Sequence, residues 1–245
     1  MAATWRTDAG RILVLALSLA SCSSAQLPEP VDETAVASVR ASVHTVCIER
    51  AGSDVDLACC RDRVVTFEQV LAARLADAGF KVVDANVTTA FRDRELRKLG
   101  GWYDPVTGAR DEARYSRLRA DVAKAMSAEL GCQAVVRPYL GVVRSNWRNG
   151  VARWDGVSDQ VAGGATLGAH GWASAMSLWL SIHDLASDRE LYFRSGGIQL
   201  LAGKIKGGSG WTALPESRLL AAPERNRQAV DLALEPLLRK SALEN

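Results

Sequence analysis

Cysteine, histidine and a glycine-flanked serine are the side chains of this 245-residue sequence with the most chemistry to offer. Cys59 and Cys60 are adjacent, which raises the question of a redox or metal site. Such sites need a Cys-x-x-Cys spacing or a nearby imidazole, so that two ligands can reach one ion or one exchanging sulfur. Neither is present. The three histidines are scattered: His44 opens a strand-like run, His170 falls in a polar segment, and His183 sits on the wetter phase of an alternating run. Ser209, within Gly207-Gly208-Ser209-Gly210-Trp211, lacks the Gly-x-Ser-x-Gly spacing of a nucleophile elbow. Gly163 to Gly168 lacks the Gly-Lys-Ser/Thr that completes a phosphate loop. The sequence therefore predicts no catalytic constellation, no metal, no cofactor, and a chain that is not an enzyme.

Cys22 has a different chemistry. Arg6 and Arg11 precede an apolar run from Ile12 to Ala20, then Ser21-Cys22. A basic start, a short apolar core and small residues before a cut describe a secretory signal over residues 1–21. The run falls short of the ~20 residues that span a bilayer. Leu19-Ala20-Ser21-Cys22 resembles a bacterial lipobox, which implies that the thiol of Cys22 carries lipid and becomes the first residue. Residues 22–42 then read as lipidated cysteine and tether, with Pro28 and Pro30 in a polar stretch. Several acyl chains on one cysteine satisfy the need for more than one chain in a stable anchor. Ser23, rather than Asp, follows the cysteine, which resembles the sorting signal for the outer membrane and implies its periplasmic face.

With Cys22 set apart, Cys47, Cys59, Cys60 and Cys132 form an even number in an oxidising compartment, the setting of structural disulfides or buried thiols. Four cysteines allow three pairings. Bridging the neighbours Cys59 and Cys60 is the least favourable, because adjacent residues strain the bridge.

Length and charge set further bounds. About 220 residues remain after the cut, enough for one domain over residues 43–240. The formal charge of +2 falls to +1 once Arg6, Arg11 and Asp8 are removed. No clustered basic footprint points to nucleic acid. Loop aromatics are the feature that favours a partner. Arg144, Arg148 and Arg153 interleave with Trp147 and Trp154, and aromatics beside arginine are enriched where one surface grips another. Trp147, Arg148, Arg153 and Trp154 are therefore the candidate contact residues.

The elements that must position these groups follow from periodicity. Val43 to Ile48 reads as a strand. Thr66-Phe67-Glu68-Gln69 reads as a capping box before a helix whose apolar stripe is Phe67, Val70, Leu71, Leu75 and Ala78, closed by Gly79. Phe80 to Asp84 follows as a strand, and residues 85–111 read as irregular. A second helix spans Glu112 to Leu130, and Gln133 to Val143 is a strand that Pro138 places at an edge or bulge. Residues 144–170 read as a polar, glycine-rich connection. Met176, Leu178, Leu180 and Ile182 alternate with Ser177, Trp179, Ser181 and His183, a strand with one wet face. Glu190 to Leu201 returns antiparallel, with a bulge expected at Gly196-Gly197. A last helix starts near Pro223 and is kinked or shortened by Pro236. The order β-α-β-α-β-β-β-α predicts an α/β fold with a single mixed sheet flanked by helices.

That order, behind the Cys22 motif, resembles a group of periplasmic lipoprotein domains: the curli-secretion channel family, the penicillin-binding-protein activator lipoprotein B family and the amino-terminal domain of the TolB family. The segments that carry the likeness are Leu75-Ala76-Asp77-Ala78-Gly79-Phe80-Lys81-Val82-Val83-Asp84 and Met176 to Asp184, within a span of roughly Val43 to Leu238. The resemblance implies a protein that acts by binding, as an assembly or regulatory factor for an envelope protein or for peptidoglycan machinery. It transfers no site residue. The alternatives it leaves are a subunit of an export channel and an envelope hydrolase. A channel needs amphipathic hairpins that close a barrel, whereas residues 144–170 are rich in Gly, Asn, Asp and Arg.

Overall fold

The structure, a computed structural model, describes residues 32–100, 103, 107–109, 111–161, 170–205 and 211–239. Asp32 opens the body: its carboxylate accepts from the backbone N–H groups of Thr34 and Ala35 and caps α1 (Glu33–Ser42). Residues 33–42 lie in the stretch expected to be tether, so the folded body begins earlier than the sequence suggested. Two contacts hold them. Val36 and Val39 are buried in the main core, and Arg40 donates to the carbonyls of Leu237 and Arg239 at the end of the last helix.

The chain continues through β1 (Thr45–Ile48), β2 (Gly52–Ser53), α2 (Arg61–Asp77), β3 (Lys81–Val83), α3 (Ala85–Leu99) and α4 (Glu112–Leu130). It then runs through β4 (Ala134–Arg148), β5 (Val151–Trp154), β6 (Val157–Gln160), β7 (His170–Asp184), β8 (Glu190–Ile205), β9 (Trp211–Ala213) and α5 (Pro223–Leu238). All the strands join one mixed sheet in the order β3-β1-β4-β7-β8-β9, with β2 and β5 also on β4 and β6 beyond β5. The first crossovers pair parallel, β1 with β3 and with β4; β4, β7, β8 and β9 are antiparallel. The expected α/β class with one mixed sheet flanked by helices is what forms.

Three local expectations change. Helix α2 starts at Arg61, before Thr66, whose hydroxyl donates back to the carbonyl of Asp62 within the helix and so caps nothing. Residues 85–99 form α3, capped by Asp84, although its inward positions Ala85, Thr88, Phe91 and Glu95 include two polar residues that hid the periodicity. Pro138 lies inside the sheet, not at its edge. The carbonyls of Val136 and Leu140 accept from Glu49 and Asp54, so the backbone groups of this phase of β4 aim at β1 and β2. Pro138 falls in the gap between those two short strands, where no N–H is needed. The residue left unpaired beside Gly197 is Ile198, close to the expected bulge.

The alternation of β7 sorts the sheet into two faces. Met176, Leu178, Leu180 and Ile182 are fully buried against Phe67, Leu71 and Leu75 of α2 and Val230, Ala233 and Leu234 of α5. On the opposite face, α3 and α4 cover only the β1 side, through Cys47, Phe91, Val122, Met126 and Cys132. Further along, β5 and β6 make a separate small core. Between those two covers the face is open.

Candidate functional site: the open aromatic face

Residues directly opposed across antiparallel strands share a face. The open face is therefore read off the register as rows. One row is Arg137, Ser181 and Phe193 and the next is Tyr139, Trp179 and Ser195; the row after them, Gly141, Ser177 and Gly197, is already buried, under Trp179 at one end and Trp154 and Val157 at the other. Phe193 is 52% and Tyr139 37% exposed, and they are two of the four large hydrophobic side chains exposed among the described residues. From Trp179 to His183 along β7 is roughly 13 Å at the usual rise of a strand.

Glycines lay the rings flat. A Cβ on Gly141 would stand 2.8 Å from the Trp179 indole, and one on Gly52 would stand 2.6 Å from the Tyr139 ring. Trp179 thus leans across β4 and Tyr139 across β2, with ring centroids 5.8 Å apart and planes 15° from parallel. The Tyr139 hydroxyl donates to Oδ1 of Asp54 at 2.6 Å, while Oδ2 of Asp54 accepts from the backbone of Val142 at 2.8 Å. That hydrogen bond, more than burial, pushes the Tyr139 phenol above its ordinary range, so it remains a neutral donor.

Polar groups frame the rings. Arg137 bridges Glu49 (3.4 Å) and Asp188 (3.1 Å), and Arg119 of α4 donates to both Asp188 oxygens at 2.8 Å. The His183 imidazole lies 3.1 Å from the Ser181 hydroxyl and 3.9 Å from Glu190. Asp184 fixes the β7–β8 turn by accepting from the Ser187 hydroxyl, which holds its carboxyl below the usual range. At the far end Asp155, in the β5–β6 turn, accepts from the hydroxyls of Ser177 and Ser195.

The sequence-predicted contact residues fall elsewhere. Trp147 and Trp154 are 2% and 4% exposed, packed with Ala152, Val161, Ala173 and Ala175. Their indole N–H groups reach the carbonyls of Trp172 and Met176, each at 3.3 Å. Both tryptophans therefore close the end of the core, and only Arg148 and Arg153 of the expected patch are exposed. Much of the 144–170 segment, a connection on its composition, is strand: β4 runs on to Arg148, β5 and β6 follow as a hairpin, and β7 begins at His170, paired with β4 along its whole length. Trp179 is the residue that sequence reasoning passed over. Its signal was a large aromatic on the polar phase of β7, between Ser177 and Ser181.

Cys47 and Cys132 form a disulfide with 5.8 Å between Cα atoms, tying β1 to the entry of β4. Cys59 is exposed and Cys60 buried, and neither is bridged. Burial, helped by the Cys59 thiol, pushes Cys60 up to about 11, which makes it a poor nucleophile. Cys22, Gly163 to Gly168 and Ser209 lie outside the described residues. Among the described residues no three His, Cys, Asp or Glu side chains gather as for a metal, and no helix is long and apolar enough to cross a membrane.

No family model matches the chain, and no curated protein matches it. Similar solved structures include lipoprotein GNA1162 from Neisseria meningitidis, at 14% identity over 68% of this chain and 84% of that one, with a TM-score of 0.33. The C-terminal domain of LpoB from Salmonella enterica is 10% identical over 68% of this chain and 94% of that one, TM-score 0.33. The PelC dodecamer from Paraburkholderia phytofirmans is 10% identical over 82% and 91%, TM-score 0.33. At that distance these likenesses carry no argument about function.

Proposed function

We propose that this chain is an envelope lipoprotein, cut before Cys22 and held by lipid on that cysteine to the periplasmic face of the outer membrane. It works by binding, as an assembly or regulatory factor for an envelope protein or for peptidoglycan machinery. The observation that supports this most is the open face: a sheet covered elsewhere by five helices and a hairpin leaves a stacked aromatic pair and Phe193 in water. Scattered exposed apolar residues are ordinary, but aromatics grouped on one rigid face mark a contact site. The stretch from Cys22 to Val31, about ten residues, reaches at most about 35 Å, so the body works close to the bilayer. Tethering of that kind raises the local concentration of neighbouring components without any new contact.

Metabolic labelling with an alkyne fatty acid tests the anchor. The expected result is label on the wild-type chain, none on Cys22→Ala, and co-sedimentation with outer membrane in a density gradient. An unlabelled wild-type chain would overturn the anchor.

A further inference from the structure

We propose that the Tyr139–Trp179 platform binds a β-1,4-linked glycan chain; this rests on the open face being the contact surface. A pyranose with equatorial substituents has one requirement that few other ligands share. Its axial C–H bonds make an apolar face the width of an aromatic ring, and its hydroxyls point outward around the edge. The negative face of an aromatic ring attracts such polarised C–H groups. Linked β-1,4, successive sugars are turned by about half a turn, so a flat ribbon offers the axial C–H bonds of one ring face and then of the other, each able to rest on an aromatic ring.

The structure meets both halves of that requirement. Gly141 and Gly52 leave the room that a Cβ would take from the Trp179 and Tyr139 rings, so the two rings lie nearly parallel, in an offset stack with centroids 5.8 Å apart, over the sheet. The next row supplies polar edge groups already held in place: Ser181 beside His183, and Arg137 between Glu49 and Asp188. Arg137 has five N–H donors, and the two ion pairs leave others for hydroxyls.

A second copy or a flat protein partner fits less well. A stable interface needs about 800 Å² per partner, while the exposed parts of three aromatics amount to roughly 200–300 Å². Among the described residues, the neighbouring positions of the two open rows are polar, Arg137, Ser181 and Ser195, rather than an apolar rim that would extend the patch.

The test uses the full-length lipidated protein in detergent, titrated calorimetrically with chitotetraose, cellotetraose and isolated peptidoglycan sacculi. Saturable binding of at least one tetrasaccharide is expected, weakened by about tenfold or more in Trp179→Ala and unchanged in Gln228→Ala on the outer side of α5. Binding of chitotetraose alone would assign the N-acetyl group a role, and sacculi report whether the wall is the source. Saturation-transfer NMR on the unmodified protein needs no variant: irradiating aromatic protons should transfer most strongly to the axial ring C–H protons and weakly to the hydroxymethyl and N-acetyl protons at the edge. No saturable binding of any of the three, binding undiminished in a folded Trp179→Ala, or transfer to the ring C–H protons no stronger than to the edge protons would overturn the proposal. A chain that binds no sugar yet crosslinks an envelope protein through position 193 would overturn the ligand class alone and leave the contact face standing.

Discussion

Trp179 stands opposite Tyr139 in the register of β4 and β7, and its indole rests on Gly141, two residues further along β4. The relationship is one of vacancy: the ring lies flat because Gly141 has no Cβ.

Gly141→Ala should therefore lift Trp179 without disturbing the core on the other side of the sheet. A Cβ 2.8 Å from the ring requires the indole to move. The cost should be about 1–2 kcal/mol, the range of a local overpacking. Near-ultraviolet circular dichroism should change while the far-ultraviolet spectrum stays the same.

Gly196→Ala is expected to be worse, because the obstacle is backbone. Its Cβ would stand 2.1 Å from the carbonyl oxygen of Ala229, so α5 itself must retreat from β8. Loss of about 3 kcal/mol or more is expected. Chemical denaturation of the two variants side by side should rank Gly196→Ala clearly below Gly141→Ala.

The disulfide closes a loop of sequence separation 85 between Cys47 and Cys132. Loops of that length give about 4–5 kcal/mol in the chain-entropy treatment, and measured losses are typically about 2–4 kcal/mol. The double variant Cys47→Ser, Cys132→Ser should lower the unfolding free energy by that amount, read as a lower denaturation midpoint. Cys59→Ser should leave it where it is, since Cys59 is exposed and unbridged.

Acid should loosen the hairpin from α5. Burial, the largest single influence, raises the Asp159 carboxyl, but the hydrogen bond donated by Arg225, the backbone N–H of Gln160 and the Arg225 charge together outweigh it and hold the group below its ordinary value. A carboxyl depressed in the folded state stabilises it fully above the unfolded value of about 4, and that contribution is lost as pH falls through the lower folded value. Melting temperature should therefore fall more steeply for wild type than for Asp159→Asn as pH drops below about 4. Parallel curves would remove Asp159 from the acid response.

The fold was legible where one period dominated. The β7 alternation and the Phe67, Leu71, Leu75 stripe are core in the structure as their spacing required. What the sequence hid were features that depend on register. Nothing local in Pro138 tells that its missing N–H faces a gap between β1 and β2. Trp147 and Trp154 sit in a segment with poor alternation, yet the end of β4 and the β5 strand paired with it bring them inward, to pack with Ala173 and Ala175. Helix α1 was read as tether because its hold on the body runs through distant partners: Arg40 meets the end of α5, nearly 200 residues away. The candidate site was hidden for the same reason, since Gly52, Tyr139, Gly141 and Trp179 meet only when three strands are aligned.

Whether the open face is where this protein meets the envelope decides the function proposed for it. A photo-crosslinking amino acid placed at position 193, and as a control at Gln228 on α5, answers that in intact cells. The prediction is a discrete adduct from position 193, identified by mass spectrometry as envelope protein or wall glycan, that weakens when Trp179→Ala is added and does not form from position 228. Equal adducts from both positions, or none from position 193 in a chain shown to be folded and lipidated, would contradict it.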